Sequence, residues 1–206
     1  MADNADLPAE AFARQDEGDD LAFYALPRLV THIDEGAVAA LTARYRELLP
    51  EQGRVLDLMS SWVSHLPDDR TYAEVVGHGM NERELAANPR LDRRFVQDLN
   101  RDPFLPFAPA AFDAALCCVG VQYLQRPVDV FAEVRRTLGE GAPFIVSFSN
   151  RCFPTKAVAI WRALDPAGHA PLIASYLARA GFRRSSTEIL ADGRRGDPLT
   201  LVIGYA

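Results

Sequence analysis

The sequence predicts an α/β fold, a mostly parallel sheet covered by helices on both faces. Three observations predict it. From residue 36 to residue 180, short apolar runs alternate with stretches of helical periodicity, the pattern of parallel strands joined by crossover helices. Two C-terminal runs are joined only by the turn-rich Asp192-Gly-Arg-Arg-Gly-Asp-Pro198, which adds an antiparallel pair. The 206 residues suffice for one such domain with a proper core, and are too few for two.

The elements follow in order. Val38, Leu41, Tyr45, Leu48 and Leu49 fall at helical spacing over 36–49, and Pro50 ends that run. A buried strand follows at 54–58 and a second at 72–77. Asn81 can cap a helix running through Ala87, with Glu84 completing a capping box. Short strands are predicted at 94–97, 112–119 and 144–149. The helix at 127–138 starts on Pro127 and stops before Gly139. Further helices are predicted at 154–164 and 171–180, and the last strands at 186–190 and 199–205. Residues 1–20 carry seven acidic side chains against Arg14 and read as a flexible arm. A lid that orders over a ligand is the other reading. Residues 21–206 read as one domain.

Composition narrows the function. A hydrophobic share of 49% and a charged share of 24% describe an ordinary globular chain. The net charge of −6 argues against binding duplex nucleic acid, which needs a basic face. No apolar run reaches the roughly 18 residues of a membrane span, and no leader pattern opens the chain. Cys117, Cys118 and Cys152 form no disulfide framework and no spaced metal-ligand pairs. A reducing cytoplasm and no metal are expected, with a homodimer left open.

In an open parallel sheet the ligand lies beyond the carboxyl ends of the strands, so those ends are where its contacts are expected. The first is Val55-Leu-Asp-Leu-Met-Ser-Ser-Trp-Val-Ser-His-Leu-Pro67. The second is Val75-Val-Gly-His-Gly-Met-Asn81. The third is Val96-Gln-Asp-Leu-Asn-Arg-Asp-Pro-Phe-Leu-Pro-Phe107, and the fourth Cys117-Cys-Val-Gly-Val-Gln-Tyr-Leu124.

Their order and spacing resemble class I S-adenosylmethionine-dependent methyltransferases of the type 11 branch, from about Ala37 to the C-terminus. The resemblance is stronger to a subgroup that carries Leu-Asp-Leu-Met-Ser-Ser-Trp in place of the glycine loop. It implies a Rossmann-like fold, with a seven-stranded sheet in the order 3-2-1-4-5-7-6. It implies S-adenosylmethionine as cofactor and a small-molecule acceptor. Asp57 stands at the motif's acid, but Met59, Ser61 and Val63 occupy its three glycine positions. A loop without glycine must be wider or differently bent. Ser60, Ser61 and Ser64 then either donate to the cofactor's carboxylate or cap a helix.

The acid that holds the ribose in relatives is replaced by Gly79, with Met80 placed to pack on the adenine. Asn81 or His78 is a weak substitute for that acid. Asp98 and the Leu99 amide match the adenine-contacting positions. Cys118 and Val119 would line the pocket, with Gln122 and Tyr123 near the transferred methyl. Asp113 reads as a structural strand-start residue. The resemblance leaves two functions open, an active small-molecule methyltransferase and a catalytically silent relative that binds another ligand or a partner.

Other candidates lie beside these segments. Tyr24, Arg28, His32 and Asp34 precede the first core helix and either close over the ligand or pack on the surface. Trp62 can pack on cofactor or substrate. His65 can act as a base or brace a helix. Asn150 and Arg151 follow the fifth strand and suit a polar or anionic substrate. Lys156 stands at a predicted helix start, where a cation gains nothing from the dipole.

Overall fold

The structure, a computed structural model, describes residues 7–206; Met1–Asp6 of the acidic stretch lie outside the described residues. Seven strands build one sheet: β1 (Arg54–Leu58), β2 (Glu74–Gly79), β3 (Arg93–Val96), β4 (Ala114–Cys118), β5 (Pro143–Phe148), β6 (Arg184–Ala191) and β7 (Leu199–Tyr205). Their order is β3-β2-β1-β4-β5-β7-β6, as the resemblance implies. The first five are parallel. β7 runs antiparallel to both β5 and β6.

Among the described residues, six α-helices accompany the sheet: α1 (Asp20–Phe23), α2 (Glu35–Leu48), α3 (Glu82–Ala87), α4 (Pro127–Thr137), α5 (Ala159–Ala163) and α6 (Pro166–Arg179). The central strands are buried on both faces because helices cover both. Leu56, Leu58, Val76, Cys117, Phe144 and Val146 point into the cluster that includes α4 and α6 residues. Val55, Val75, Leu116, Ile145 and Ile203 point the other way, into the cluster with Ala37, Leu41 and Tyr45 of α2. That period-two alternation fixes where each strand-end side chain goes. Asp57 shares the face of Val55, so it is directed to the α2 side.

Several boundaries differ from the sequence reading. β2 starts at Glu74, in register with Arg54, and runs on to Gly79. α6 starts five residues earlier than predicted, because Asp165 caps it through the Gly168 amide and Pro166 takes the first position. Pro171 therefore lies inside the helix. α5 is confined to Ala159–Ala163, the preceding residues being used for a turn that buries Lys156. Asn81 caps α3 as predicted, accepting from the Arg83 and Glu84 amides. The other half of the capping box is not made, because both oxygens of Glu84 have other partners.

The stretch expected as a flexible arm is packed down from Leu7 onward. Phe12 is buried in the α4–α6 cluster, and the Ala13 carbonyl accepts from the Ala159 amide. Arg14 pairs with Asp20 at 2.7 Å, both side chains almost fully buried. The Lys156 ammonium lies 2.9 Å from Asp20 and 3.2 Å from Asp16, and donates to the Gly18 carbonyl. Charge compensation lets this acidic stretch lie against the fold. Asp113 has the structural role predicted for it: it accepts from the Arg54 amide at the foot of β1.

Candidate functional site

One cavity of about 300 Å³ opens at the carboxyl ends of the parallel strands, within the size range of small-molecule sites. Four strand ends form its floor: Met59-Ser60-Ser61 after β1, Gly79-Met80-Asn81 at the end of β2, Asp98-Leu99-Asn100 after β3 and Cys118-Val119-Gly120 after β4. A cover formed by residues 20–32 crosses it, contributing Asp20, Tyr24, Arg28 and His32. Phe153, after β5, completes the rim.

The loop after β1 explains how the motif works without glycine. Met59 takes φ 55°, the left-handed conformation that favours glycine, and so does Val119 at φ 45°. For a methionine this costs on the order of 1 kcal/mol, so neighbouring groups must hold it. The Met59 amide donates to His78 Nδ1 at 3.1 Å, and the Ser60 amide to the His78 carbonyl. Space for the loop comes from one glycine at the end of β2 and another just after β4. A Cβ on Gly79 would lie 2.5 Å from the Ser60 carbonyl oxygen, and one on Gly120 would lie 2.9 Å from the Met59 Cβ.

His78 is a bracket between β1 and β3. Its Nδ1 accepts from Met59 and its Nε2 meets the Gln97 carbonyl at 2.8 Å. A carbonyl only accepts, so the proton sits on Nε2 and the ring is neutral. Burial pushes the ring down to about 4, although the bond to Gln97 pulls the other way.

The serines do not present free hydroxyls. Ser60 donates to Asp57 at 2.6 Å and Ser61 to Glu84 at 2.6 Å. Ser64 is buried and accepts from Asn88. Trp62 points away from the cavity and donates to the Val30 carbonyl at 3.0 Å. Its role is to pin the cover, a job shared with Glu84, which accepts from the Arg28 amide. Asn81 adds bonds to the Tyr24 and Ala25 carbonyls.

Of the ten residues predicted to contact the cofactor, nine line the cavity; Asp57 does not. The strand alternation turns it beneath the loop, beside a small second cavity with Trp62, Ser64 and His65. Burial raises its carboxyl to about 6, with the hydroxyls of Ser60 and Ser64 opposing.

The other candidates divide in the same way. Tyr24, Arg28, His32, Tyr123 and Arg151 line the main cavity. His65 lies behind the loop, and burial, then the nearby His32, pushes it down to about 4. Gln122 is buried in the turn after β4 and donates to the Val119 carbonyl. Asn150 is exposed and accepts from Ser149. Arg151 pairs with Asp197 at 2.9 Å, which in turn braces Asp34 at the start of α2. Lys156 serves as the anchor of the cover. The sequence reading missed Asp20, Glu84, Asn100, Cys152 and Phe153 on the lining. Distant segments bring them together, and no spacing rule connects them.

These buried groups set a pH dependence. His65 and His78 fall from an ordinary 6.5 to about 4, so their contribution to stability is full above 6.5 and is lost as pH falls. Asp57 rises from 3.8 to about 6, so its contribution is full below 3.8 and is lost as pH rises. Between about pH 4 and 6 the two histidines outweigh the one carboxyl by a net proton, worth roughly 1.4 kcal/mol per pH unit. Urea unfolding is expected to show stability falling by about 2–4 kcal/mol from pH 6.5 to 4.5. In Asp57→Asn the slope should steepen; an unchanged slope would show that Asp57 does not titrate there.

A 3-2-1-4-5-7-6 sheet with its cavity across these strand ends defines the class I methyltransferase fold. Residues 58–146 match the family described as "Methyltransferase domain". Over that stretch the chain is similar to methyltransferase domains, and methyltransferases of the same fold among the solved structures are S-adenosylmethionine-dependent. Solved structures agree in fold. An S-adenosylmethionine-dependent methyltransferase from Mesorhizobium loti superposes with a TM-score of 0.57 at 18% identity, covering 82% of this chain and 98% of that one. The [4+2]-cyclase SpnF gives 0.65 at 16% identity, covering 90% of both chains. A methyltransferase from Aquifex aeolicus gives 0.59 at 12% identity, covering 90% of this chain and 96% of that one. No protein of curated function matches the sequence.

The cavity residues fit S-adenosylmethionine in one respect. The left-handed backbone at Met59 and Val119 keeps the turns open without glycine. The site departs from the usual pattern at the ribose, where Gly79 leaves no acid at the tip of β2.

Proposed function

We propose that the protein transfers a methyl group from S-adenosylmethionine to a small molecule held under the cover. The observation that carries this reading is the convergence of four strand ends and the cover on one cavity. Asp98, Leu99 and Met80 would hold the adenosine, and Met59, Cys118 and Val119 the methionine part. When bound, the cofactor supplies an electrophilic methyl on a sulfonium. The chain's part is to position the acceptor and exclude water.

Proton removal falls to His32. It lines the cavity, and burial first, then Arg28, hold its pKa below the ordinary value, with Glu84 opposing. The imidazole is therefore neutral near pH 7 and able to accept a proton. Tyr123 accepts from the Phe153 amide, and burial pushes its hydroxyl up to about 12. It stays protonated and serves as a fixed wall. The same reading puts the protein in the cytoplasm, consistent with Cys117, Cys118 and Cys152 being free.

Calorimetric titration with S-adenosylhomocysteine tests this. Binding is expected in the micromolar range, weakened at least about tenfold in Asp98→Ala. No heat at millimolar ligand would overturn the assignment. A second reading, a relative that binds a ligand without transferring a methyl, is favoured by the missing ribose acid at Gly79. Binding of the cofactor product without label transfer from methyl-labelled S-adenosylmethionine to any acceptor would favour it.

A further inference from the structure

We infer that Arg28 and the rings around it form an acceptor subsite for a planar aromatic carboxylate. The inference rests on the methyltransferase reading for the word acceptor, while the binding site itself stands on geometry alone.

The charged groups on the cavity are satisfied within the protein, with one exception. Asp20 is paired with Arg14 and Lys156 and accepts from Asn100. Asp98 lies 3.4 Å from Arg101, and Arg151 lies 2.9 Å from Asp197. The oxygens of Glu84 accept from Ser61 and from the Arg28 backbone amide. The Arg28 guanidinium has no carboxylate partner among the described residues. Its Nη2 donates to the Phe23 carbonyl at 3.1 Å, whereas Nη1 is buried and has no acceptor. A buried, unpaired donor on a cation is costly, and an incoming carboxylate supplies the charge-assisted bond it lacks.

The surroundings select a flat apolar body for that carboxylate. The guanidinium stands 4.9 Å from the Phe23 ring centre, 5.7 Å from Tyr24 and 5.2 Å from Phe153. Tyr123 stacks on Phe153 at 6.0 Å and 29°, and His32 meets the Phe153 ring edge-on at 5.9 Å. Aromatic walls favour offset or edge contacts with a further ring. These rings come from the cover, from Tyr123 after β4 and from Phe153 after β5, apart from the β2 and β3 ends that hold the adenosine candidates. His32, the proposed base, belongs to the same wall, so an aromatic acid anchored at Arg28 lies within its reach.

The test uses benzoate and 2-naphthoate, with benzyl alcohol as the uncharged control. Each is titrated into the native protein, Arg28→Lys and Arg28→Ala by calorimetry, and S-adenosylhomocysteine is titrated separately. Both acids are expected to bind the native protein at least about tenfold more tightly than benzyl alcohol. Arg28→Ala should lose at least about tenfold, Arg28→Lys, which keeps the charge but not the planar fork among the rings, about threefold or more, and affinity for the cofactor product should change by less than about threefold. Thermal unfolding confirms that the variants fold, and Arg28→Lys decides the matter if Arg28→Ala does not. Failure of both acids to bind, or equal binding of acid and alcohol, would overturn the subsite. So would loss of cofactor-product affinity in Arg28→Ala with benzoate unaffected, which would assign Arg28 to the cofactor's own carboxylate. Benzoate binding without any binding of S-adenosylhomocysteine would sink the methyltransferase reading and leave the anion subsite standing.

Discussion

Replacing Lys156 with methionine is expected to destabilise the fold by about 3–5 kcal/mol. The side chain is wholly buried, and its ammonium contacts the Asp16 and Asp20 carboxylates and the Asp16 and Gly18 carbonyls. Methionine fits the volume but leaves Asp20 buried with one cation fewer. Arg14 and Asn100 remain to it, which puts the expectation at the lower end of that range. Burial works to raise the Asp20 pKa, but the bonds from Arg14 and Lys156 prevail and lower it. A lowered carboxylate contributes stability above its unfolded pKa and loses it as pH falls, so the defect should be largest near neutrality and shrink in acid. Adding Asp20→Asn should recover part of the loss, a coupling of about 1 kcal/mol or more in the double-mutant cycle. Urea midpoints check both values. If Lys156→Met unfolds at the native midpoint, the clasp does not hold the cover.

The fold was legible because its signals are local. Short apolar runs such as 55–58, interrupted only by Asp57, and the unbroken 114–118 mark strands buried on both faces, and the short link between the last two strands can only make an antiparallel pair. The floor of the site was legible for the same reason, since parallel topology sends every strand end to one edge. The cover was not. Nothing in the spacing of Asp20, Asn100 and Lys156 says that they meet; an acidic stretch reads as solvated until the buried cation that neutralises it is known. The one available signal was Lys156 itself, a cation placed where local electrostatics gave it no reason to be. Trp62 and the serines read as ligand groups or, for the serines, as helix caps; Ser60 and Ser61 do reach the cavity, yet the side-chain bonds of Trp62, Ser60 and Ser61 run to Val30, Asp57 and Glu84. Their chemistry was legible, and the partners that use it were not.

The missing glycines carry the last and most specific expectation. A motif read position by position loses three glycines at Met59, Ser61 and Val63, which suggests a broken loop. The three-dimensional requirement is that some pair of neighbouring backbones approach closely, and either member of the pair can supply the room. Here Gly79 supplies it: a Cβ there would meet the Ser60 carbonyl oxygen at 2.5 Å and Leu85 at 3.0 Å. The oxygen belongs to backbone already tied through the Ser60 amide to His78, so it has little freedom to withdraw. Gly79→Ala is therefore expected to cost about 1–3 kcal/mol through overpacking. It should also displace Met59 and Ser60 enough to weaken S-adenosylhomocysteine binding by about tenfold or more. Gly139→Ala is the control, because its Cβ would find the Phe112 carbonyl at an ordinary 3.6 Å. Its effect should stay within about 0.5 kcal/mol. Thermal unfolding and calorimetry read both variants. If Gly79→Ala matches the native protein in both, the close approach of β2 to the loop is not what lets methionine stand in for glycine, and the burden falls on the His78 bracket alone.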